Sequence, residues 1–149
     1  MKKIVLGISL ILSSMYCSAQ SATWSAPISV AGNAYGNVYP RIALTSGNRP
    51  QVVWQNGVTD KIHTAHWDAN GFSTPITLNP AGVFPYIASW TGAEIAAVQD
   101  TVFVVFSTEP DASGAQVYTV RSLDGGLTFE DTVRVDQIGN DIPRFPSVE

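Results

Sequence analysis

Charge is scarce in this sequence. Only 13% of its 149 residues are Asp, Glu, Lys or Arg, about half the usual share of roughly 25%. Helical bundles and coiled coils need charged outer faces, and the chain lacks the residues to build them. Positive charge is scarcer still, with 8 Lys and Arg against 12 Asp and Glu and a formal net charge of −4. A chain that neutralises phosphates needs a basic patch, so nucleic acid is excluded as a partner. Cysteine occurs once, at Cys17, and the two histidines, His63 and His66, complete no zinc set. Neither a phosphate-cradling glycine loop nor a nucleophile elbow occurs, and no cofactor is implied. What the chain does have is apolar residues, 45% of the total, with 12 Gly and 9 Pro. That is enough to bury a core, which rules out disorder as a global description and points to an all-β fold cut up by turns.

The N-terminus has a plan of its own. Met1, Lys2 and Lys3 give a positive start, and an apolar run from Ile4 to Leu12 is broken only by Gly7 and Ser9. Cys17, Ser18 and Ala19 then place small side chains before Gln20. This is the layout of a secretory signal peptide, residues 1–19, with cleavage expected after Ala19. The run is too short for a helix that crosses roughly 30 Å of hydrocarbon, so no transmembrane segment is expected. Acylation of Cys17 is the competing reading, but Tyr16 stands where a lipobox carries Gly or Ala. Cleavage after Ala19 leaves a mature chain, 20–149, without cysteine, so its fold in an oxidising compartment rests on packing. It also removes Lys2 and Lys3, two of the 8 bases, and with all 12 acids kept the formal charge becomes −6. The expected location is outside the cell or on its surface.

Two landmarks recur three times in the same order. An aromatic residue precedes Pro at Tyr39-Pro40, Phe84-Pro85 and Phe145-Pro146, with spacings of 45 and 61 residues between the prolines. Short strand-like runs follow: Arg41 to Leu44, Tyr86 to Ala88, and Ser147-Val148. In a second register, Trp24 to Val30 aligns with Phe72 to Leu78 and with Phe129 to Val135. Between the landmarks lie β-branched and aromatic runs at Gln51 to Trp54, Lys61 to Trp67, Thr101 to Phe106 and Gln116 to Arg121. Turn residues separate them at Ser46-Gly47-Asn48, Asn56-Gly57, Asn70-Gly71, Asp124-Gly125-Gly126 and Gly139-Asn140. Ala93 to Gln99 is the one stretch compatible with a helix. It is short and lacks a clear cap, so Ile95 to Val98 reads as a strand turning at Gln99-Asp100.

Four short strands in each period of about 45 to 60 residues is the pattern of β-propeller blades. One such sheet cannot cover both of its faces, and stacking blades around an axis does so. The expected fold is a set of antiparallel four-stranded blades, one over residues 39–78 and one over 84–135. Residues 145–149 start a third, so about two blades plus edge strands are present. Trp24 to Val30 is expected as an outer strand of either the first blade or, in the complete protein, the last one, and the rest of a larger propeller is expected C-terminal to residue 149.

One motif names a family. Ser122-Leu123-Asp124-Gly125-Gly126-Leu127-Thr128-Phe129 fits S-x-D-x-G-x-T-[W/F] at every fixed position. It resembles the Asp-box, or bacterial neuraminidase repeat, of sialidase-like β-propellers. The resemblance covers roughly Trp24 to Glu149, and His66 to Phe72 looks like a degenerate copy. In that family the motif is the hairpin between the third and fourth strands of a blade, and its role is structural. The resemblance thus implies turn roles for Ser122, Asp124, Gly126, Thr128 and Phe129. Asp124 would accept turn amides, the glycines would take positive φ, and Phe129 would pin the hairpin to the blade.

Function divides into two expectations, beside a third reading as a scaffold segment with no ligand of its own. The first is a non-catalytic module that binds glycans or proteins. The second is an exo-α-sialidase, of which this would be the N-terminal part. Family enzymes grip the substrate carboxylate with three arginines, because the planar guanidinium fork matches a carboxylate. They also use a Tyr-Glu nucleophile and an acid/base Asp. Arg41-Ile42 resembles the start of the family's Arg-Ile-Pro motif, but Ala43 stands in the Pro position. Arg41 is therefore a candidate carboxylate ligand, or otherwise a solvent-facing or ion-paired strand residue, and no nucleophile is assigned. His63 and His66, three apart on a strand, should face opposite ways. Trp54, Trp67 and Trp90 offer either inter-blade packing or a sugar-stacking surface.

N-terminal sequencing of the secreted product should begin at Gln20. A mature chain beginning at an acylated Cys17 would show that the protein is instead a lipoprotein.

Overall fold

The computed structural model describes residues 25–32, 35–88, 91–110, 114–136 and 146–149. The signal segment 1–19 with Cys17, the landmarks Trp24, Trp90 and Phe145, and the Gly139-Asn140 turn lie outside them. The described residues are all-β, with a single 3-10 turn at Ser46–Asn48. In order, the strands are β1 (Asn37–Thr45), β2 (Arg49–Asn56), β3 (Lys61–Asp68), β4 (Gly71–Phe72) and β5 (Ile76–Thr77), then β6 (Glu94–Val98), β7 (Thr101–Ser107), β8 (Val117–Ser122) and β9 (Val133–Arg134). They form two open antiparallel sheets of sequential neighbours. One has the order β1-β2-β3-β4, with β5 also on β3, and the other has the order β6-β7-β8-β9. Within the span 93–99 the strand reading holds, since β6 turns at Gln99-Asp100 directly into β7.

Turn chemistry fixes these hairpins. Asn56 Oδ1 accepts the amides of Val58 and Thr59, each at 3.0 Å, and so folds the chain back from β2 into β3. Asn79 is buried, accepts the Ile62 amide at 2.8 Å, and donates to the carbonyls of Asp60 and Val83. That one carboxamide ties β3 to the segment leading into the second sheet.

Both described aromatic-Pro landmarks mark breaks in the first strand of a sheet. In β1 the pairing passes from Val38 opposite Gln55 to Arg41 opposite Val53, leaving one extra residue in a bulge at Tyr39-Pro40. Tyr39 takes φ +53° there. Proline has no N–H for the ladder, so the interruption falls where it costs no donor. In the second sheet the break is longer. Pro85 faces Thr108, whereas Glu94 faces Val105. The chain thus advances nine residues while its partner steps back three. Phe84 to Tyr86 therefore continues the line of β6, bonded through Tyr86 N to Ser107 O at 2.8 Å and Glu109 N to Phe84 O at 3.0 Å. The expected strand at Tyr86 to Ala88 is not formed. The strand proper begins at Glu94.

The second landmark holds better. Phe72 precedes Ile76-Thr77 by the same interval that separates Phe129 from Val133-Arg134, and both dipeptides are fourth-position strands. The N-terminal copy differs. Residues 25–30 form no strand, because the edge of β3 that would receive them is already paired with β4 and β5. Val30 and Ala31 instead pack across the outer face of the first sheet, on Val52, Trp54 and Ala65. Residues 146–149 are likewise without strand pairing.

The main core lies between the sheets. Val53 and Ile62 from the first meet Ile95, Val102, Val104, Phe106 and Val120 from the second, with Leu78 and Ala93 from the connection. β1 runs beside β6. Alternation along β7 sends Val102, Val104 and Phe106 inward and Phe103 outward. The outer faces remain apolar and open, at Ile42 and Leu44 on the first sheet and at Val98, Phe103 and Val133 on the second.

This alternation has a direct consequence. Phe106 is 0% exposed and Phe103 is 36% exposed. Phe106→Ala should cost about 3–5 kcal/mol of unfolding free energy, whereas Phe103→Ala should stay within about 1 kcal/mol. Denaturant unfolding of both variants measures the difference.

Candidate functional site

The Ser122–Phe129 segment joins β8 to β9, the third and fourth strands of the second sheet. Its hydrogen bonds radiate from two side chains. Ser122 Oγ donates to Asp124 Oδ1 at 2.7 Å and accepts the Gly126 amide at 2.9 Å. Asp124 also accepts the Thr128 amide at 2.9 Å and the Thr128 hydroxyl at 2.6 Å. Gly125 and Gly126 take φ +74° and +87°, values that any side chain would strain. Phe129 packs against the inter-sheet core. Ser122, Asp124 and Thr128 thus close the turn with their side chains, and Gly125 and Gly126 let the backbone follow it.

Desolvation raises the Asp124 carboxyl, but bonds from the Thr128 hydroxyl and amide, the Ser122 hydroxyl and the Leu127 amide outweigh it and hold the pKa at about 2. A carboxylate so acidic, with its lone pairs engaged by the turn, is unsuited to donate a proton near neutral pH.

The turn also fastens the two sheets. Gly125 N donates to Asp100 O at 2.7 Å, and the Asp100 carboxylate pairs with Arg49 of the first sheet at 3.1 Å. Beside them Ser46 N donates to Gln99 O at 3.0 Å. Three turns, one from the first sheet and two from the second, therefore meet at one end of the molecule. Gly126 lies against the buried Gln51 carboxamide, which a Cβ at that position would overlap. Gln51, Arg49 and Asp100 escaped the sequence reading. The available signal was a lone Gln opening the buried run Gln51-Val52-Val53-Trp54, where an amide needs a polar neighbour.

Arg41 stands on β1 with its side chain half exposed. Its Nε donates to both carboxylate oxygens of Glu94 on β6, at 3.0 and 3.2 Å. The guanidinium thus forms an ion pair that bridges the sheets. His63 and His66 occupy opposite faces of β3. His63 lies against Trp54 with ring centroids 5.7 Å apart, and His66 is paired with Gln51. Burial, reinforced by the charge of Lys61, lowers the His63 pKa. Trp54 is only 4% exposed and belongs to the packing beneath Val30 and Ala31. Trp67 is half-buried and meets Phe72 edge to face, with centroids 5.3 Å apart.

Among the described residues no helix is long and apolar enough to cross a membrane. No protein-family model matches the chain, and no curated protein or solved structure matches it at a significant level.

Asp124 supplies a pH-dependent part of stability. Its folded pKa of about 2 lies below the unfolded value near 3.9. Its contribution is therefore complete above about pH 5 and is lost as pH falls toward 2. Asp124→Ala should lower stability at pH 7 by about 1–3 kcal/mol and flatten the acid limb of the stability curve. Asp136, which Arg134 holds at about pKa 2, titrates in the same window and is left intact in that variant. Urea unfolding between pH 7 and pH 2 measures both effects.

Proposed function

We propose that the chain is part of an exported, non-catalytic Asp-box propeller module that binds glycans or proteins at the cell surface or outside the cell. The Ser122–Phe129 turn carries this reading. It joins the third and fourth strands of a four-strand antiparallel meander, the position that the motif holds in the sialidase-like propellers it resembles. Further support comes from the first meander, which precedes the second in the chain and packs on it face to face with β1 beside β6. Neighbouring blades have this relation. The open apolar outer face of the second sheet, at Val98, Phe103 and Val133, is a surface on which a further blade would pack. Export follows from the Lys2-Lys3 start, the apolar run and the small residues before Gln20.

The non-catalytic half of the proposal rests on two side chains. Asp124 is engaged by Ser122 and Thr128, and Arg41 by Glu94. Exo-α-sialidase is the alternative, favoured by the place of Arg41-Ile42 on the first strand of the first sheet. It would require Arg41 to release Glu94 and face a substrate carboxylate, together with a nucleophile, to which no residue is assigned.

Incubation of the purified protein with a fluorogenic sialoside tests the choice. No release above a heat-killed control is expected, for the wild type or for Arg41→Ala. Release by the wild type that Arg41→Ala abolishes would overturn the non-catalytic reading and establish the enzyme.

A further inference from the structure

A cleft of about 700 Å³ opens between residues 25–28 and the end of the first sheet, within the usual 300–1,000 Å³ of small-ligand sites. Its aromatic side is the Trp67–Phe72 pair, directly opposed across the β3–β4 ladder and perpendicular at 82°. Pro27 and Pro50 add apolar wall. The polar side is the turn from β1 to β2, with Asn48 exposed at φ +56° and Arg49 beside it. Arg49 is the only charged residue lining the cleft among the described residues. Its Nε donates to Ser46 O at 3.1 Å and its Nη2 to Asp100 at 3.1 Å. The guanidinium is thereby both aimed and neutralised. Asp100 is in turn fixed by the Gly125 amide of the Asp-box turn, so that turn indirectly shapes the cleft.

These groups select a ligand chemistry. A half-buried indole offers a flat face to aliphatic C–H groups, as a sugar ring presents them. The Asn48 amide supplies both donors and an acceptor for hydroxyls. An acidic sugar would demand an unpaired cation, and the single cation here already has Asp100. We infer that this cleft binds a short neutral oligosaccharide stacked on Trp67, with its hydroxyls on Asn48 and the Arg49 edge. The inference rests on the glycan-binding reading proposed above and locates its site.

The test titrates the exported chain with cellohexaose, xylohexaose, mannohexaose and chitohexaose, following tryptophan fluorescence and heat. Sialyllactose and polygalacturonate serve as acidic probes. At least one neutral probe should bind, and Trp67→Ala should weaken it at least about tenfold. Because Trp67→Ala removes packing as well, Ala26→Trp provides a second variant. It fills the cleft from an exposed position and should cause a similar loss with an unchanged circular dichroism spectrum. Neutral-probe binding unaltered in both variants would overturn this assignment and leave the module reading standing. Preference for an acidic probe, or binding of no neutral probe, would also overturn it. Sialoside turnover would instead remove the underlying reading.

Discussion

A four-stranded sheet has two faces and can bury neither alone, and this constraint shapes the whole molecule. The solution is the pairing of Val53 and Ile62 with Val102, Val104 and Phe106 across the space between the sheets. Each fully buried side chain of this kind contributes about 1.5–3 kcal/mol relative to exposure. No disulfide assists, since Cys17 is the only cysteine. The first sheet then needs cover on its second face, and Val30 with Ala31 provides part of it over Trp54.

Polar contacts set the orientation of that apolar interface rather than its strength. Arg41–Glu94 and Arg49–Asp100 are both partly exposed, and such pairs contribute at most about 1 kcal/mol. Their value is geometric. Each links a residue near one end of the first sheet to the corresponding end of the second, so the sheets cannot slide without breaking both. The Ser122–Phe129 turn adds a steric stop, with Gly126 against Gln51. A larger residue there would have to push a buried side chain aside and also adopt a strained positive φ.

Local signals were read well where one strand or one turn decides the outcome. β-branched runs became β2, β7 and β8, the Gln99-Asp100 turn formed, and the Ser122–Phe129 turn closed on Asp124. Signals that depend on a neighbour were read less well. Tyr86 to Ala88 has the composition of a strand, yet among the described residues only isolated bridges, at Pro85 and Ala88, form before the ladder at Glu94. Ile28 to Val30 matches Ile76 to Leu78 in pattern, yet β4 and β5 already occupy the edge of β3. Arg41 was visible as an unusual strand cation, but its partner lies 53 residues away.

The all-β class, the alternation of inward and outward residues, and the turn-forming residues between β8 and β9 are local properties of the chain. These depend on backbone preferences and on hydrogen bonds that span four residues or fewer. Only the tertiary structure decided that Gln51 abuts Gly126, that Arg49 is neutralised by Asp100, and that Trp67 borders a cleft while Trp54 is sealed. Each of those outcomes is a contact between segments far apart in the chain. No local propensity encodes such a contact, because it exists only once the two sheets have closed on a shared core.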